Sequence, residues 1–191
     1  MADLSPTSDL VREFVIAAHG NLSRIQEMLT ERAELLNIPY AWKDDDLETG
    51  IQAAAHVGNV PIAEFLLDKG APLAICTAAM LGRIDAVKAL IAEQPDRVNE
   101  RGAHGITLLA HAAISGSVSL LTLLDQHGVK DGASYALGNA VTHRRTDAAR
   151  WLLESASLDL AWTDFQGHTP LQIAEAQGFD ELVKLLKDHA K

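Results

Sequence analysis

Apolar residues return along this chain in pairs three positions apart: Ile25 and Met28, Ala63 and Leu66, Val87 and Leu90, Leu121 and Leu124, Ala149 and Leu152, Val183 and Leu186. That spacing puts both members on one face of a helix. Each pair follows, at offsets near 5 and 8, an anchor residue that closes a short alanine-rich motif. The motifs are "VIAAHGN", "QAAAHVGN", "CTAAMLGR", "AHAAISGS", "GNAVTHRR" and "IAEAQGFD", with anchors Gly20, Gly58, Gly82, Gly116, Arg144 and Gly178. Each unit therefore predicts a short helix, a turn at the anchor and a second, amphipathic helix. Glycine at the anchor permits the left-handed backbone that ends the first helix. Ser23 (with Gln26), Pro61, Asp85, Ser119, Asp147 and Glu181 are typical of the first turn of the second.

The last unit reads Asp164-x-x-Gly167-x-Thr169-Pro170-Leu171-Gln172-x-Ala174, and fragments of the same pattern stand in "GITLLAHAA", "ETGIQAAAHVGN" and "LLDKGA". Over about residues 9 to 189 the chain resembles the ankyrin repeat, and its layout is similar to bacterial ankyrin proteins of unassigned role. The resemblance implies an all-α solenoid of about six helix pairs, with β-hairpin fingers projecting from one edge. A tail over 1–8 would precede a single domain, 9–191, with units near 9–36, 37–70, 71–95, 96–128, 129–157 and 158–191. The family's histidine after Thr-Pro-Leu is absent; the matching positions hold Phe14, Gln52, Cys76, Ala110, Gly138 and Gln172. Only Gln52 and Gln172 can supply a comparable side-chain hydrogen bond.

The steps between anchors are irregular: 38, 24, 34, 28 and 34 residues, against about 33 for a regular unit. The 24-residue step leaves no room for a hairpin, so "DKGAPLA" must pass straight from helix to helix, with Pro72 setting the new start. The 28-residue step allows at most a stunted finger. Fingers are expected at about 36–50, 96–105 and 157–167. The omissions are either tolerated loop loss or a shaping of the binding face.

Composition narrows the function. Sixteen basic against 26 acidic residues give a formal charge of −10, which opposes phosphate backbones and anionic lipid, so neither nucleic acid nor membrane is an expected partner. The single cysteine, Cys76, suits a reducing compartment and reads as a buried structural thiol. The N-terminus lacks the pattern of a secretory signal, and no apolar run approaches the roughly 20 residues of a membrane span. A cytoplasmic monomer is the expectation. Nucleophile elbows, phosphate loops and metal-ligand spacings are missing, so no enzyme, cofactor or metal is expected.

A protein partner would then meet the fingers and the groove of first helices. The longest finger carries Tyr40 and Trp42 beside Asp44, Asp45, Asp46 and Glu48. These aromatics are anchors for a partner, packing for the loop, or both. The second finger offers Arg97, Arg101 and His104 as a basic edge; in the third, Trp162 and Phe165 flank Asp164, which braces the turn. Trp151 belongs to the core. His19, Glu48, His56 and His111 are expected to line the groove. An alternative is a metal-binding or hydrolytic site on His19, His56 and Glu48; another is a self-associating structural protein.

Overall fold

The paired apolar positions lie where helices form. The computed structural model describes residues 6–190, so residues 1–5 of the expected tail lie outside the described residues. Thr7 already caps the first helix, accepting the N–H of Leu10. Among the described residues, α1 (Ser8–Ala18) pairs with α2 (Leu22–Glu31), α3 (Gly50–His56) with α4 (Val60–Asp68), and α5 (Ile75–Met80) with α6 (Ile84–Glu93). Then α7 (Leu108–Ser115) pairs with α8 (Val118–Gln126), α9 (Ala133–Thr142) with α10 (Thr146–Ser155), and α11 (Pro170–Ala176) with α12 (Asp180–His189). Helices, short 3-10 turns included, take up 65% of the described residues against one two-stranded sheet, which makes the fold all-α. No helix among the described residues is long and apolar enough to cross a membrane.

Five of the six anchors take the left-handed conformation. Gly58, Gly82, Gly116 and Gly178 do so at φ of 71°, 67°, 78° and 66°, and Arg144 at 54°; Gly20 lies outside that region. The residues expected in the first turn of each second helix occupy its second position. The caps sit two residues earlier: Asn21, Asn59 and Ser117 accept the N–H groups of Arg24, Ile62 and Leu120. Gln52 and Gln172 complete capping boxes, their Oε1 atoms accepting the N–H of Thr49 at 2.9 Å and of Thr169 at 2.8 Å.

Odd-numbered helices touch in sequence, α1 to α3 to α5 to α7 to α9 to α11, while α8, α10 and α12 form a second row behind them. The first row can approach closely because its contact residues are small: Ala53, Ala54, Ala78, Ala79, Ala112 and Ala113 are fully buried or nearly so. Most of the paired apolar positions are buried; Leu90 and Val183 are half-buried and pack against the same core, as does Trp151.

The connections carry the irregularity. Between Asp68 and Ile75, and between Gln126 and Ala133, there is no strand, as the short steps require; α5 begins three residues after Pro72 rather than at it. Of the three expected fingers, the first is a hairpin of β1 (Tyr40–Lys43) and β2 (Asp46–Glu48). The second is two 3-10 turns, Pro95–Asn99 and Ala103–Gly105, closed by a single bridge from Arg101 to Thr107. His104 and Gly105 both have positive φ, which curls this segment instead of extending it. The third is a set of turns clasped by Asp164, whose Oδ1 accepts the N–H groups of Gln166 and His168, both at 2.9 Å.

These two later segments lean over the helices that have no finger of their own. The Cys76 thiol, on α5, donates to the carbonyl of Glu100 at 3.8 Å, and β2 meets the Ala103–Gly105 turn directly. Trp162 lies over Gly138 of α9, where a Cβ would stand 2.4 Å from the indole.

Candidate functional site

The hairpin sets the site. Tyr40 pairs with Glu48 and Ala41 with Leu47, but Lys43 pairs with Asp46, so Trp42 is a bulged extra residue. Tyr40, Trp42 and Glu48 face the helices, while Leu47 is left 51% exposed. A one-residue shift of register would bury Leu47 and expose Glu48, which transfer energy alone favours. The observed register instead buries a carboxylate completely.

Three imidazoles meet that carboxylate. His56, at the end of α3, places Nε2 2.9 Å from Glu48 Oε1; His104 Nε2 lies at 3.4 Å and His19 Nε2 at 3.9 Å. His19 and His56 approach each other at 3.0 Å between their Nε2 atoms. Trp42 donates its indole N–H to Glu48 Oε2, whereas buried Oε1 receives no directed hydrogen bond. Burial raises the Glu48 pKa, but the adjoining His56 imidazole and the Trp42 N–H outweigh it and hold the group below the ordinary carboxylate value.

The far nitrogens of two rings are fixed. His19 Nδ1 lies 3.0 Å from the carbonyl of Val15 and 3.2 Å from that of Ile16; a carbonyl only accepts, so this nitrogen carries the hydrogen. His104 Nδ1 stands 2.8 Å from Asp46 Oδ2, and the His104 backbone N–H donates to Asp46 Oδ1 at 3.0 Å. The ring hydrogen bond from His104 Nδ1 is the main cause holding Asp46 below its usual pKa. In their neutral forms His19 and His104 therefore aim Nε2 lone pairs at the carboxylate.

The cluster stands at one end of a groove of about 890 Å³ that runs along the first row of helices. At the other end Tyr135 and Trp162 stack with ring centroids 5.2 Å apart, and Phe165 is 95% exposed beside them. The side chains of His19 and His104 are 32% and 34% exposed, so the cluster is open on its groove side.

The candidate residues divide accordingly. His19, Glu48, His56 and His104 come together, with His104 inside the cluster and not on a basic edge. Tyr40 and Trp42 are half-buried against the N-terminal core, in T-shaped contact at 4.9 Å, so they pack the finger onto the helices. His111 does not line the groove: it is 1% exposed, bound through Nδ1 to the Thr107 carbonyl at 2.9 Å, and burial lowers its pKa to about 4. Arg101 lies away from the groove, paired with Asp131 and the Gly105 carbonyl. Trp162 is half-buried in the groove wall. Asp46 and Tyr135 are contributors that motif and spacing did not single out. No family model matches the chain, and no curated protein gives a significant match to its sequence.

Proposed function

We propose that the six helix pairs are an ankyrin-type repeat array, and that the chain is a non-enzymatic module binding a segment of a partner protein in the groove. The recurring left-handed anchors, the threonine-glutamine capping boxes and the order of helix contacts support the repeat reading. The observation that carries the binding reading is Phe165, a phenyl ring 95% exposed at the rim of a groove already walled by Tyr135 and Trp162. Covering such a ring is worth about 2 kcal/mol, and aromatic anchors concentrate affinity. An apolar or aromatic side chain of the partner fits this end. The formal charge of −10 favours a protein over a nucleic acid.

The test is retention from a lysate of the source organism by wild type, Phe165→Asp and Leu47→Asp. Both substitutions are at exposed positions, and Leu47 faces away from the groove. A protein held by wild type and Leu47→Asp and lost by Phe165→Asp supports the proposal. No specific protein, or equal retention by all three, removes it.

A further inference from the structure

We propose that His19, His56 and Glu48, with His104 against the same carboxylate, form a binding site for one divalent transition-metal ion of the zinc class. The inference rests on the cluster alone, whether or not the groove takes a protein.

The atoms that converge are electron-pair donors with too few protons among them. The Nδ1 atoms of His19 and His104 hold their hydrogens against carbonyls and Asp46, leaving the Nε2 lone pairs to face inward. Glu48 adds a fully buried carboxylate oxygen with no directed hydrogen bond. Even if His56 Nε2 carries a hydrogen, it serves one of these neighbours at a time. A cation satisfies all of them together, His56 then carrying its hydrogen on Nδ1 so that Nε2 is free to ligate.

The spacing is right for a single ion. Two ligand atoms about 2.1 Å from one metal lie about 3.0 Å apart at a right angle and about 3.4 Å apart at the tetrahedral angle. The separations here are 2.9, 3.0, 3.4 and 3.9 Å. The three within His19, His56 and Glu48 all stay below twice a metal–ligand bond, the limit for atoms sharing one ion. His19, Glu48 and His56 form a compact ligand trio by themselves, and His104 reaches the same carboxylate oxygen from outside that trio.

The outer contacts also match. Metal-bound histidines usually donate their other ring N–H to a carbonyl or carboxylate, which fixes the ring and strengthens the ligand. His19 does so to Val15 and Ile16, and His104 to Asp46, while Trp42 steadies the remaining oxygen of Glu48. Three imidazoles with one carboxylate select a borderline ion over calcium or magnesium, which take oxygen ligands.

The full-length chain, stripped with a chelator, is titrated with zinc chloride by calorimetry and melted with and without zinc. One equivalent should bind with micromolar or tighter affinity and raise Tm by about 5 °C or more. Cobalt(II) should give visible d–d absorption that zinc abolishes. Glu48→Gln and His56→Asn should each weaken binding at least about 10-fold, as should Asp46→Asn through His104; His143→Asn, in the groove wall outside the cluster, should not. If Glu48→Gln unfolds the chain by circular dichroism, His19→Asn carries the test, because His19 lies at the C-cap, past the last residue of α1. No saturable zinc binding below about 100 µM, or binding unchanged in His56→Asn and His19→Asn, overturns the proposal and leaves a cluster held together by protons.

Discussion

Trp42 donates its indole N–H to Glu48 Oε2 at 2.6 Å, and so fixes one oxygen of a fully buried carboxylate while the other turns toward three histidines. The bulge at Trp42 is what brings both side chains to the inner face of the same short hairpin.

Trp42→Phe keeps an aromatic ring but removes that donor. It is expected to cost about 1–3 kcal/mol, the penalty for leaving a buried acceptor short of a partner. Urea unfolding of Trp42→Phe, Glu48→Leu and the double variant checks this. The double variant should lose less than the two single losses combined, since the hydrogen bond is shared; strict additivity would mean the indole contributes by packing alone.

Gly138 sits inside α9, where alanine ordinarily stabilises by about 1 kcal/mol. Here the added methyl would stand 2.4 Å from Trp162. Gly138→Ala should bring no gain in stability and should move the tryptophan emission to the red as Trp162 leaves Tyr135. The ordinary gain should reappear when Trp162→Ala is made first. A stabilised Gly138→Ala in the otherwise wild-type chain would contradict the close packing described above.

Arg144 holds a left-handed conformation with φ 54°, and its guanidinium lies 5.2 Å from the Phe179 ring. Replacing it loses that contact whatever the new residue, so Arg144→Gly and Arg144→Ala should be compared with each other. The glycine variant is expected to be about 1 kcal/mol more stable than the alanine variant, the difference being backbone strain. Equal thermal midpoints would show that the turn relaxes without cost.

Burial lowers the His111 pKa to about 4 from the ordinary value near 6.5. Between those values the unfolded chain binds a proton that the folded chain refuses. The contribution is fully present above pH 6.5, and is lost as pH falls through that window toward 4, amounting to on the order of 3 kcal/mol. His143, whose pKa is lowered by burial and then by Arg145, acts in the same direction. Urea midpoints from pH 7 to pH 4.5 should fall less steeply for His111→Gln than for wild type. Parallel curves would exclude His111 as the source.

The helix pairs were legible because their signal is local and repeated. A three-residue apolar spacing and an anchor turn return six times, and glutamine stands at the third helical position of two capping boxes. The cluster was only half legible. His19 and His56 occupy similar ends of successive first helices, so their proximity followed from register, and Glu48 followed from the finger. His104 did not, because its position depends on two positive φ values and on Asp46, which lies 58 residues away in the chain. The same distance in sequence hid the burial of Glu48: the Leu47-Glu48 order reads as an ordinary polar strand until the partners of the carboxylate are known. The packing of Tyr40 and Trp42 was one of two readings of the finger, because composition alone does not say which face of a hairpin meets a helix.

The stretch from Asp68 to Ile75 has no hairpin, and the two segments on either side meet across the space it leaves: Asp46 and Glu48 from one, His104 from the other. A finger of full length there would stand between them as a wall. The cluster is thus specified by a length of chain as much as by its side chains. A related sequence could keep all four residues and still lack the site, if its second step ran to a full unit; alignments that close such gaps to maximise identity would erase the feature that makes the residues neighbours.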